Sequence, residues 1–352
     1  MIMKISKSFR WSLSQKGYMV VDGRLLSDLD SVCTQKLLVP CGDEMVSRAP
    51  LQESGILFRK FSKLDPTNST EMAAFAKEWG LLGGRLRREF KLVTHDDADV
   101  AEAPTQIGEM VDDWDQEIRK MRATVDLWKS IRTDTPDKLN ALICWTLGGD
   151  VLIADGAVRD LTYAVGSKIP IPASEMCRTL LRAATPSVIL LFYLRLVIEK
   201  ALEQHGLDII PAVDDEAPTV VLEIRPRNLV GTIWLQFADA VERGVTLYDC
   251  AHCGMPIERP RGSRSKEGRN FCAGRCRQAY YWEQKGKVAR ELHAEGISLE
   301  GIRARLKLEN TSLSAIRRLI GDHSSSTQSN PQAWSWGKVD GKGPRPRGYS
   351  KR

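Results

Sequence analysis

Four cysteines constrain this chain more than any other feature of its sequence. Cys250 and Cys253 are separated by two residues, eighteen residues follow, and Cys272 and Cys276 are separated by three. Pairs at this spacing chelate one ion from a tight turn or the start of a helix, and four thiolates suit tetrahedral Zn2+. Four protein ligands close the coordination sphere and leave no position for a substrate water, so the expected site is structural. Metal binding then supplies much of the folding free energy of a small unit, on the order of 10 kcal/mol in isolated fingers. His252 as a substitute ligand, free buried thiols and an iron–sulfur cluster are the competing readings. Cys33, Cys41, Cys144 and Cys177 are scattered. Basic and polar residues interrupt the apolar ones from Met1 to Trp11, so no export signal is read there, and in such a chain clustered pairs favour a metal over disulfides.

Charge is the second constraint. The 352 residues carry a net +6, but residues 250–352 hold 21 Lys and Arg against 9 Asp and Glu, leaving 30 basic against 36 acidic residues for 1–249. Clustered Lys and Arg replace the counterions condensed on phosphates, which points to a C-terminal third facing nucleic acid. A basic, solvated tail is the alternative. The longest apolar run, Val188 to Ile198, contains Arg195 and is shorter than the roughly 20 residues that span a bilayer. A soluble, cytoplasmic protein without a membrane partner is therefore expected.

Hydrophobic periodicity organises the rest. Short apolar segments such as Tyr18–Val21, with turn signals at Asp22-Gly23 and Cys41-Gly42, read as strands and loops over the first 65 residues. Asn68-Ser-Thr-Glu71 has the spacing of a capping box, after which Met72, Phe75 and Trp79 recur at helical intervals until Gly80. The acidic stretch 96–102 reads as an exposed loop. Met110, Trp114, Ile118, Met121, Val125 and Trp128 then form the clearest amphipathic stripe, read as core in preference to a ligand pocket. A short strand is expected over Asp150–Ala154. Pro186 opens a helix whose run Val188–Ile198 should be largely buried. Thr219–Ile224 reads as a strand ended by Pro226, and Leu229–Arg243 as a helix ended by Gly244, presenting Ile233, Leu235, Phe237 and Val241. This last helix is expected to brace the metal unit. Residues beyond Gly321 have the composition of a disordered tail, although Lys338, Lys342, Arg345, Arg347, Lys351 and Arg352 are able to track a nucleic-acid backbone.

The stretch Phe271-Cys-Ala-Gly-Arg-Cys-Arg-Gln-Ala-Tyr-Tyr281 resembles the CGNR-type zinc finger found at the C-terminus of bacterial uncharacterised proteins. It departs from that finger where Cys276 is followed by Arg277 and Gln278. The resemblance implies Cys250, Cys253, Cys272 and Cys276 as ligands, and DNA contact by the basic helix beginning near Arg275 and including Arg277. Phe75-Ala-Lys-Glu-Trp-Gly-Leu-Leu-Gly83 is similar to a helix end in the same proteins. Residues 289–320 resemble the helix-turn-helix of resolvases and many bacterial regulators. In that reading three short helices follow, with Gly296 ending the first, Ser298 capping the second, Leu306-Lys-Leu308 making the turn and Glu309 or Asn310 opening the third. Lys307 stands where a glycine is usual. The third helix would enter a major groove, with Asn310, Thr311, Ser312, Ser314, Arg317 and Arg318 reaching bases or phosphates. Use of the three helices for packing or dimerisation is the alternative.

An enzyme reading would need a site within residues 1–249. Its candidates, His95-Asp96-Asp97 and the carboxylates Asp112, Asp113 and Asp115, read better as solvated surface or as acids favouring a helix start. No phosphate-cradling glycine loop and no Gly-x-Ser-x-Gly is found. The expected fold class is mainly α with minor β, in several domains: 1–66 short strands and loops, 67–247 a mainly helical domain, 248–284 the zinc unit, 285–321 the helix-turn-helix, and 322–352 the basic tail. The expected function is that of a non-enzymatic, zinc-containing DNA-binding protein, a bacterial transcriptional regulator. Its helical domain would sense a small molecule or a protein partner. The alternatives are a protein-interaction module that zinc only stabilises, or RNA binding.

Overall fold

Helix punctuation in the sequence translates directly into helix ends. A computed structural model describes residues 3–5, 9–25, 34–53, 56–92, 105–145, 151–153, 184–213, 220–259, 271–308 and 311–321. Its fold class is mainly α with minor β. The chain divides into two compact units, Met1–Cys276 and Arg277–Arg352.

The first unit opens with strands β1 (Met3–Ile5), β2 (Trp11–Ser14), β3 (Tyr18–Leu25), β4 (Gln35–Pro40) and β5 (Met45–Arg48). Two short helices, α1 (Pro50–Glu53) and α2 (Leu57–Phe61), follow where the sequence pattern suggests only strands and loops. Five residues are too few to display a 3.6 period, yet Leu57, Phe58 and Phe61 are all buried. Helix α3 (Ser69–Trp79) begins as expected: the Asn68 side chain accepts from the amides of Thr70 and Glu71. The reciprocal half of the capping box is displaced, because the Glu71 carboxylate accepts from the amide of Asp65 at 2.9 Å.

Strands β6 (Arg87–Leu92) and β7 (Thr105–Met110) close a four-stranded antiparallel barrel with β3 and β4, in the order β3-β4-β7-β6. Its interior holds Leu37, Val39 and Phe90 and is full. A Cβ on Gly23 would lie 2.7 Å from both Leu37 and Phe90, so only glycine fits there.

From the barrel the chain enters α4 (Val111–Thr133), followed by α5 (Pro136–Asn140), the strand pair β8 (Ile143–Trp145) and β9 (Val151–Ile153), and α6 (Pro186–His205). The expected stripe of α4 is core: Trp114, Ile118, Met121, Val125 and Trp128 are buried. Helix α6 starts at Pro186 and buries Ile189, Leu190, Tyr193, Leu194, Val197 and Ile198, while Val188 and Leu191 face outward. Strands β10 (Leu207–Val213) and β11 (Val220–Pro226) then pair antiparallel, and β11 pairs parallel with β1 at the other end of the unit. Helix α7 (Leu229–Glu242) is capped by Asn228, whose side chain accepts from Gly231 N, and buries Ile233, Trp234, Leu235 and Phe237. One core unites these elements, with edge-to-face contacts of Phe61 and Phe75 on Trp114 and of Phe58 on Phe237. The acidic stretch 96–102 lies outside the described residues.

The second unit is small. It contains most of α8 (Gly274–Ala294), then α9 (Leu299–Arg305) and α10 (Leu313–Ile320). Ala289, Ile302, Leu306, Leu308 and Ile316 form its buried centre. Ser298 caps α9 as expected. Two expectations need correction. The first helix is not short: it runs 21 residues from Gly274. The third is capped by Ser312, whose hydroxyl accepts from Ala315 N at 3.3 Å, rather than opened by Glu309 or Asn310. Serine wins because its short side chain folds back onto the third amide from a β-region backbone, φ −64° and ψ 150°. Among the described residues no helix is long and apolar enough to cross a membrane.

Candidate metal centre

The first cysteine pair sits at the tip of a β-hairpin. Strands β12 (Thr246–Asp249) and β13 (Pro256–Arg259) pair antiparallel, from Thr246 opposite Arg259 to Asp249 opposite Pro256. Beyond the last pair, Cys250 N donates to Met255 O and Gly254 N donates to Cys250 O, both at 2.9 Å. Gly254 has φ +67°, the left-handed conformation that this turn requires and that a Cβ would strain. Strand β12 is fastened to α4 at both of its ends. The Trp128 indole donates to Val245 O at 3.0 Å, and Lys129 pairs with Asp249 at 2.9 Å, with Lys63 on the same carboxylate at 3.5 Å.

The second pair arrives from a helix start. Cys276 is the third residue of α8, and its amide donates to Ala273 O at 3.1 Å. Unpaired amides and the helix dipole at this end favour negative charge, which suits thiolate ligands.

All four sulfurs lie within 4.8 Å of one another. Three of the spacings are 3.6 Å for Cys253–Cys272, 3.3 Å for Cys272–Cys276 and 3.8 Å for Cys253–Cys276. A tetrahedron with ~2.3 Å zinc–sulfur bonds has edges of about 3.8 Å, so these spacings are those of ligands around one small ion. Cys250 and Cys276 are buried, whereas Cys253 and Cys272 are exposed. His252 is exposed and does not join the cluster.

The electrostatics point the same way. Burial pushes the Cys250 thiol up, but the amides of Cys253, Cys272 and His252 and the Cys253 thiol more than offset it, bringing Cys250 to about 6. Cys272 is pushed up to about 12 by its hydrogen bond to Cys276, by burial, and by the Cys253 and Cys250 thiols. Without a cation, one thiolate forms readily and the next is resisted by the first. A divalent ion removes that conflict. The four cysteines are therefore positioned to bind a metal ion.

The remaining candidate residues are not among the clustered ligand groups. Arg275 and Arg277 are exposed in the first turn of α8. Thr311 is half-buried, and Ser312 and Ser314 are exposed with their hydroxyls 2.9 Å apart. Arg317 and Arg318 are exposed in the last turn of α10, opposite the buried Ile316. Asn310 lies outside the described residues, as do His95-Asp96-Asp97 and the tail from 322. Asp115 pairs with Arg119 at 2.7 Å and Asp113 approaches Arg88 at 3.9 Å. Sequence reasoning did not single out Arg305, and it marked Lys307 only as the residue in place of the turn's usual glycine; both are exposed at the end of α9. Lys307 is the one non-glycine residue with positive φ, 53°, among the described residues. The usual glycine of that turn was the signal that marked the position.

Two further cations in this unit serve structure. Lys285 donates to Leu306 O at 2.8 Å and Arg290 to Leu319 O at 3.3 Å, so α8 supplies a positive group to the C-terminal end of both α9 and α10.

Comparison with known proteins matches no family model, no curated protein and no solved structure.

Proposed function

We propose that this chain is a zinc-containing DNA-binding protein, a bacterial transcriptional regulator and not an enzyme, in which a structural four-cysteine site organises the chain that leads into a helix-turn-helix. The observation that carries the reading is the convergence of Cys250, Cys253, Cys272 and Cys276 at the start of α8. Four sulfur donors favour zinc over the harder cations, which prefer oxygen, and zinc there would have no open coordination position.

The nucleic-acid part of the reading is supported by charge. Arg305, Lys307, Arg317 and Arg318 are exposed and form no ion pair among the described residues. Cations without an ion-pair partner among the described residues are available to replace counterions on phosphates. Arg317 and Arg318 would read bases or phosphates from α10, with Arg275 and Arg277 contributing from the start of α8.

Fluorescence anisotropy of the metal-loaded chain with a labelled DNA duplex, repeated at rising salt, tests this. The expected result is a steep loss of affinity, with a log–log slope of about 0.9 per phosphate contact. Absence of binding at low salt overturns it in favour of a protein-interaction module. Tighter binding to an RNA of equal length replaces DNA with RNA as the partner.

A further inference from the structure

Away from the cysteines, the first unit gathers charged side chains at the junction of α4, the C-terminal end of α6 and the turn 84–86. Glu117 and Lys120, one turn apart on α4, are each 5% exposed, and His205, the last residue of α6, is 3% exposed. Burying an ammonium is costly unless acceptors replace its water. Lys120 has three N–H donors, but among the described residues its ammonium makes one hydrogen bond, to a neutral atom, Gln204 Oε1, at 3.3 Å, with the Trp234 ring 5.3 Å away. Arg85 donates to the same Gln204 oxygen at 3.2 Å. Two cationic heads thus meet on one uncharged acceptor.

The carboxylate of Glu117 does not settle the balance. It lies 3.4 Å from His205 Nε2 and 3.9 Å from Arg85, and its second oxygen is buried without a hydrogen bond, as are both ring nitrogens of His205. Glu117 holds the Lys120 charge while Lys200 adds positive field there, and Asp113 acts on Arg85 and Glu117, so three cations face two carboxylates. It is open on one side, because the Arg85 side chain is 52% exposed and Gln204 is half-buried.

We propose that Arg85 and Lys120 form a binding site for a small oxyanion, the carboxylate or phosphate group of a metabolite, whose oxygen takes the place that the Gln204 amide oxygen now fills. A charged oxygen bridging ammonium and guanidinium turns two hydrogen bonds from charged donors to a neutral acceptor into two between opposite charges. Arg85 receives the anion at the surface, Lys120 holds it from the floor, and Gln204 swings away. The site would supply the first unit with a ligand of its own, independent of metal and of nucleic acid.

Isothermal titration of the metal-loaded full chain at low ionic strength, once with sodium acetate and once with sodium phosphate, tests this against sodium chloride at matched ionic strength. Saturable one-site binding of either probe beyond the chloride control is expected, and which probe binds tells carboxylate from phosphate. Arg85→Gln, at an exposed position that leaves folding intact, should weaken binding about tenfold or more, and Lys120→Met should abolish it. Gln204→Ala should tighten it several-fold by removing the competing amide. Two results overturn the proposal. One is the absence of saturable binding of both probes. The other is binding that Arg85→Gln and Lys120→Met leave unchanged, which would place the anion on other cations.

Discussion

The cysteine cluster and helix α4 reach well-defined geometry by opposite routes. Around α4, shape comes from apolar burial: Trp114, Ile118 and Met121 are fully enclosed by side chains from the other helices. At the hairpin tip, two of the four ligands are exposed, and the turn is fixed by Gly254 and by hydrogen bonds of the Cys250 backbone. The hairpin tip holds four thiols that cannot all ionise together without a cation, so a bound ion would do for it what apolar burial does for α4.

Removing the ion sharpens that contrast most. Chelation should cost the hairpin and the start of α8 on the order of 10 kcal/mol of local stabilisation, and Cys276→Ser, which removes one ligand of four, a part of it. Hydrogen exchange should then rise across 246–259 and 271–277 while α4 and α7 stay protected. Equal deprotection of α4 would show that the two regions fold as one. Trp114→Ala makes the converse test, with an expected loss of about 3–5 kcal/mol in chemical denaturation and a metal stoichiometry that does not change.

A smaller effect is expected at Glu109, which is fully buried and accepts from Leu82 N, Gly83 N and the Trp114 indole. Burial raises its carboxyl above the ordinary range, and the three donors only partly offset this. A raised acid binds its proton more tightly in the folded state. Its contribution is therefore complete below the unfolded-state value and is lost as pH rises through the folded-state value. Glu109→Gln should destabilise by about 1–2 kcal/mol at low pH, where one donor loses its acceptor, and by less as pH increases. Denaturation curves for both proteins across that range check the sign, and a gap that widens with pH would contradict it.

The smallest effect separates structural from free cations in the second unit. Lys285→Ala should cost about 1 kcal/mol of stability, because Leu306 O loses a charged donor. Arg318→Ala should leave stability within about 0.5 kcal/mol and, if the chain binds DNA, lower the salt slope by about one contact. The reverse pattern would exchange the two roles.

Much of the fold was legible because its signals are local. Asn68 before Ser-Thr-Glu, Pro186 before an apolar run and Gly244 after one are stereochemical marks that act on their own neighbours. The α4 stripe was legible because helical periodicity writes the buried face into residue spacing. Other features left no such trace. Barrel closure joins β3 to β6 across the intervening helices, and β1 finds β11 at the far end of the unit. Lys120 and Glu117 sit on the side of α4 whose sequence reads as polar surface, yet α6 covers both.

The sequence alone determined where α3, α6 and α7 begin and end, which face of α4 is apolar, and that two cysteine pairs are available for one ion. These are properties of neighbouring residues, set by φ/ψ preferences, capping and spacing. Only the tertiary structure decided that the four sulfurs converge and that Lys120 and Arg85 share one neutral acceptor. Those outcomes depend on which segments, distant along the chain, are brought together by burial, and no local preference encodes them.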